Sequence, residues 1–129
     1  FYLKNKDGAV LFKTNKSSGL LANMDVLPSI GWYEDSNRFK SSPKFNKKKH
    51  EFLGLKWKIL DQNLVHIFTH FKLNCTVAIA IINDENELLI DLDKSIYRFV
   101  QKKNMNDLAL PSLTKKILNS LKKHEALNF

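Results

Sequence analysis

The side chains able to do chemistry in this chain are four histidines (His50, His66, His70 and His124), one cysteine and a scatter of carboxylates. His66 and His70 stand four apart, a spacing that places two metal ligands on one helical face. They fall in a β-patterned stretch with no Glu beside them, so the spacing does not make a zinc site. Cys75 sits among apolar residues, which makes it a buried, inert thiol and not a nucleophile. A single cysteine also excludes an internal disulfide and any cysteine-built zinc or iron–sulfur site in this chain. Asp84, Glu85 and Glu87, and then Asp91 and Asp93, read as turn residues and not as a paired acid and base. There is no Gly-x-Ser-x-Gly and no Walker loop, and four glycines in all leave little room for a phosphate cradle. No catalytic set emerges.

What does stand out is charge. Lys and Arg number 21 against 13 Asp and Glu, a formal net charge of +8. Such an excess points to a polyanion, nucleic acid first. Only Arg38 and Arg98 are arginine; the remaining basic residues are lysines, mobile point charges poor at bidentate base reading. Binding built on them is phosphate-directed, salt-sensitive and blind to sequence. Lys47, Lys48, Lys49 and Lys72 are the candidates for backbone contact.

The elements that must carry these residues fit one domain of 129 residues, with 43% hydrophobic and 26% charged side chains. No apolar run approaches the about 20 residues of a membrane span, and no signal peptide is visible. The chain opens on Phe1 and not Met, as a fragment or processed chain does. Asp7-Gly8 predicts a hairpin turn joining strands near Phe1–Leu3 and Ala9–Lys13. Gly19 to Pro28 reads as a loop into a short strand. Ser36 to His50 is a polar, Lys-rich loop with a short helix near its end. Leu55, Trp57 and Ile59 alternate with Lys56 and Lys58, a half-buried strand with those three inward. From Leu64 to Ile82, Val65, Ile67, Thr69, Phe71, Leu73, Cys75, Val77 and Ile79 share one parity. The run is too long for one strand, and Thr69-His70 is the expected break. Thr76 to Ile82, apolar on both parities, predicts a central strand covered on both faces. Asn83 to Asn86 predicts a turn, and Leu88–Ile90 and Ser95–Val100 predict short strands. From Pro111 the period changes: Leu113, Ile117, Leu118 and Leu121 line one helical face. The fold class is α+β.

Four stretches in order carry a resemblance: Gly8 to Phe12; Gly19-Leu20-Leu21-Ala22-Asn23-Met24-Asp25-Val26-Leu27-Pro28 and on to Trp32; His66-Ile67-Phe68-Thr69-His70-Phe71-Lys72-Leu73; and Ala109-Leu110-Pro111 through Lys115-Lys116. The chain resembles, over essentially its whole length, the C-terminal domain of the MutY-type adenine DNA glycosylases. That resemblance implies a Nudix-like mixed β-sheet flanked by helices, with a clear C-terminal helix. It implies that residues 1–129 are one such domain, lacking the catalytic N-terminal domain and therefore inactive alone. It implies recognition of 8-oxoguanine opposite adenine in double-stranded DNA, in base excision repair, by a monomer working in the bacterial cytoplasm at the nucleoid. The [4Fe–4S] cluster of the family would sit in the absent domain, and this chain would hold no cofactor.

The lesion-binding residues implied are Phe68, Thr69 and His70. Oxidation turns guanine N7 from an acceptor into a donor and adds an O8 acceptor, and a hydroxyl answers either. Thr69 stands where the family has Ser and keeps that hydroxyl. His70 offers a second polar contact, and Phe68 is a wedge or a packing anchor. Ala22 and Asn23 replace two family glycines, and Val26 replaces its Glu. Two other classes share the pattern: a Nudix-like nucleotide hydrolase or oxidised-nucleotide binder, and a non-catalytic protein-interaction domain. The hydrolase needs Gly-x5-Glu-x7-Arg-Glu-x-x-Glu-Glu to hold Mg²⁺. Only Gly19 has an acidic residue six positions on, Asp25; the Arg position falls on Tyr33 and no Glu-Glu follows.

Overall fold

The computed structural model describes residues 1–16, 21–29, 52–60, 63–84, 88 and 92–125. β1 (Tyr2–Asn5) and β2 (Val10–Thr14) form the expected antiparallel hairpin, with Lys4 opposite Val10. Its turn is set by two local devices. Gly8 takes a positive φ of 83°, which costs glycine little. The Asn5 side-chain oxygen accepts the Asp7 and Ala9 amides at 3.0 and 2.9 Å.

Four further strands complete a six-stranded mixed sheet: β3 (Asp25–Val26), β4 (Lys58–Ile59), β7 (Ala78–Ile82) and β8 (Tyr97–Val100). Its order is β3-β2-β1-β7-β4, with β8 also on β2. β1 and β7 run parallel; the other pairs are antiparallel. Alternation splits its side chains between two cores. Tyr2, Val10, Phe12, Ile79 and Val100 face one side, where Leu113, Ile117 and Leu121 cover them. Those three lie on α1 (Ser112–Glu125) at the predicted spacing. Leu3, Leu11, Ala78, Ala80 and Ile82 face the other side, against Leu53 and Trp57. The fold is therefore α+β: a mixed sheet with a C-terminal helix.

Above the helix-covered face lies a second, two-stranded sheet: β5 (Leu64–Ile67) and β6 (Lys72–Cys75), antiparallel. The chain breaks at Thr69-His70 as the run length demanded. The single inward parity does not survive the turn. Leu64, Phe68, Leu73 and Cys75 pack on the core, whereas Val65 and Ile67 are exposed. The loop between the strands returns the chain with its parity flipped, so even positions face inward before it and odd positions after it.

Two more expectations are corrected. Only Lys58–Ile59 of the stretch Leu55–Leu60 is strand; Trp57 is buried as expected, but Leu60 is buried in place of Ile59. β7 is central and covered on both faces through Ala80, yet Ile81 is exposed near its end. Residues 17–20, the polar stretch at 36–50 with Lys47, Lys48 and Lys49, residues 85–87 and 89–91 lie outside the described residues.

Candidate nucleic-acid interface

Residues 68–71 close the β5–β6 hairpin, and the Phe68 amide donates to the Phe71 carbonyl at 2.8 Å. The tip is held by rings. Phe68 stacks on Phe71 with centroids 4.7 Å apart and planes 24° off parallel. On its other neighbour, His66 meets Phe68 edge-on at 4.7 Å. Such pairs contribute about 0.5–1.5 kcal/mol beyond area burial. Phe68 also packs against the core residues under α1. Of the two roles open to it, the anchor is the one its position fits. Thr69 and His70, by contrast, are both exposed at the bend. Both stand beside the Phe68–Phe71 stack, open to solvent.

α1 holds the hairpin from the flank: the Lys116 ammonium donates to the Val65 carbonyl. Lys72 is exposed on β6, directly across the ladder from Ile67. The structure thus brings Phe68, Thr69, His70 and Lys72 to one end of one hairpin. Two neighbours escaped the sequence reading, Ile67 and Phe71, which are exposed beside the tip. The signal missed was that an apolar residue next to a turn need not face inward. His66 and His70 are not paired for a metal: one supports Phe68, the other stands at the bend. Among the described residues no group of three His, Cys, Asp or Glu could hold a metal ion. No helix among them is long and apolar enough to cross a membrane.

Asp25 is buried and fully engaged. Its carboxylate accepts from Thr14 Oγ1 at 3.2 Å, from Arg98 at 3.1 Å and from the Ala109 amide at 3.1 Å. The loop before it makes its turn without glycine at 22 or 23. Leu21 and Asn23 take φ values of 62° and 59°, a left-handed conformation that Asn tolerates best after Gly. Next to this loop lies a cavity of about 310 Å³, lined in part by Lys13, Asn15, Cys75 and Thr114. Burial pushes the Cys75 thiol above its ordinary range, which suits a structural cysteine.

These features can be set beside known proteins. Residues 1–120 match the model of the NUDIX domain, and the chain belongs to that family. Comparison with curated proteins finds no match. Among solved structures, the C-terminal domain of mouse MUTYH, crystallised in complex with human PCNA, is similar with a TM-score of 0.68 and 18% identity. The match covers 97% of this chain and 86% of that one. RenU, a Nudix hydrolase from M. Smegmatis, is similar with a TM-score of 0.56 and 16% identity, over 98% of this chain and 81% of that one. At these identities the likeness is one of fold.

Proposed function

We propose that this chain is the lesion-recognition domain of a MutY-type adenine DNA glycosylase. It reads 8-oxoguanine opposite adenine with the tip of the β5–β6 hairpin. The observation that carries this is the division of labour at residues 68–70. Phe68 is anchored in an aromatic stack, and Thr69 and His70 stand exposed at the bend above it. Thr69 Oγ1 accepts from the lesion's N7–H or donates to its O8, and His70 supplies a second polar contact. Lys72, with Lys47, Lys48 and Lys49, holds phosphates. Adenine excision belongs to a catalytic domain outside residues 1–129, with its own carboxylates and iron–sulfur cluster. Likeness of fold to the MUTYH domain supports this reading.

The test is anisotropy binding of the chain to duplexes carrying 8-oxoguanine:adenine or guanine:adenine. The wild type prefers the lesion. Thr69→Ala brings the ratio down about tenfold, the worth of one hydrogen bond of about 1–1.5 kcal/mol, with guanine:adenine binding unchanged. An unchanged ratio removes Thr69 from the role.

One observation favours a second reading, an oxidised-nucleotide binder. The cavity at Lys13, Asn15 and Thr114 has the volume of a small-ligand site. Hydrolysis there is disfavoured because Asp25, the acidic residue nearest the expected box, is already bonded to Thr14, Arg98 and Ala109. Mg²⁺-dependent turnover of 8-oxo-dGTP by the chain would overturn the lesion-recognition reading.

A further inference from the structure

The hairpin carries an apolar edge that hydrogen bonding to a lesion does not use. Ile67 is 75% exposed, and Val65, two residues before it, continues the strip on the same outward face of β5. Adjacent exposed apolar side chains at the end of a hairpin mark a contact surface. Its surroundings say of what kind. Lys72 is the direct cross-strand partner of Ile67, and Lys116 lies along β5 with its ammonium on the Val65 carbonyl. An apolar strip bordered by lysines, in a chain of net charge +8, complements a groove whose floor is base edges and sugars and whose rims are phosphates.

We propose that Ile67 is a wedge that enters the base stack of duplex DNA beside the recognised pair, with Val65 following it on the same face of β5 and Lys72 on a flanking phosphate. Ile and Phe are among the side chains that groove-binding proteins insert between base steps, unstacking them to gain contact. The hairpin that carries Ile67 is braced on its opposite, inward face, where Phe71 stacks on Phe68 and Phe68 packs on the core. The assignment rests on the duplex reading above but not on lesion preference. A wedge pushes apart any stack, whereas Thr69 distinguishes one base from another.

The experiment uses duplexes with 2-aminopurine, whose fluorescence rises on unstacking, placed next to an 8-oxoguanine:adenine or a guanine:adenine pair. The wild-type chain raises the fluorescence severalfold. Ile67→Ala, a change at an exposed position that leaves the fold intact, abolishes the rise. It also weakens binding to both duplexes about tenfold and leaves their ratio unchanged. Lys72→Gln keeps the rise but reduces the slope of log K against log salt by about 1. Wild-type affinity and fluorescence in Ile67→Ala would overturn the wedge, with the lesion reading intact if the wild type still prefers 8-oxoguanine. A wedge signal that depends on Ile67 in a chain without lesion preference would support the wedge and overturn that reading.

Discussion

At the scale of single residues, Asp25 does the most for the structure and Thr69 the most for the proposed function. Asp25 joins β2 through Thr14, β8 through Arg98 and the approach to α1 through the Ala109 amide. Substituting Asp25→Ala leaves the half-buried Thr14 hydroxyl and the Ala109 N–H without their acceptor, losses at or below the about 1–3 kcal/mol of a fully buried donor. Arg98 is 55% exposed and solvent screens its share. Asp25→Ala is therefore expected to lower stability by about 2–3 kcal/mol, read as a shift of the urea midpoint at constant m. Arg98→Met should cost less than about 1 kcal/mol. Equal losses would mean that the ion pair, and not the orphaned donors, holds this corner. Nothing near Asp25 in the chain foretold the role. Its partners Arg98 and Ala109 lie 73 and 84 residues away, and no local pattern records a contact across that distance. The bend at Thr69-His70 was legible for the opposite reason: two polar residues interrupt a long apolar run within a short contiguous stretch.

At the scale of elements, what local chemistry specifies could be read and what the third dimension decides could not. Asp7-Gly8 announced the first hairpin, and the 3.6-residue period from Leu113 to Leu121 announced α1. Length alone required a break inside Leu64–Ile82, and the two polar residues located it. Which face of β5 looks inward was not legible, because the parity of the closing loop is a geometric result of the turn. The same limit misplaced Ile59 and Leu60. The β5–β6 hairpin is an isolated pair of strands, marginal in water without packing beneath it. Phe68 supplies much of that packing. Because Phe68 is only half-buried, Phe68→Ala is expected to cost about 2 kcal/mol, below the range for fully buried rings. The loss should fall on the hairpin first. Amide exchange in β5 and β6 is expected to speed up about 30-fold, with far smaller changes in β1, β2 and β7. Uniform acceleration through both sheets would show that the hairpin is part of one cooperative unit with the core. Lesion preference should fall along with hairpin protection, since Thr69 and His70 are aimed by the element below them.

For the molecule as a whole, the sheet fills both of its faces with apolar side chains and leaves the positive charge to the surface. The hairpin tip is where Lys72 adjoins the exposed Thr69 and His70, to which the proposed function gives base discrimination. The two contributions should separate in salt. Each phosphate neutralised by a lysine releases condensed counterions, so log K falls linearly with log salt at about −0.9 per contact on duplex DNA. A hydrogen bond from the Thr69 hydroxyl to a base releases none. Affinity for 8-oxoguanine:adenine and for guanine:adenine duplexes should therefore fall along parallel lines as salt rises, with a constant gap between them. Thr69→Ala should narrow the gap and leave both slopes alone, whereas Lys72→Gln should flatten both slopes by about 1 and leave the gap. Ile67→Ala should lower both lines without tilting either, because apolar insertion displaces no counterions. The observable is a set of titrations at four or more salt concentrations. Lines that converge at high salt would mean that charge itself distinguishes the lesion. The discriminating groups would then have to be sought among the lysines and not at the hairpin tip.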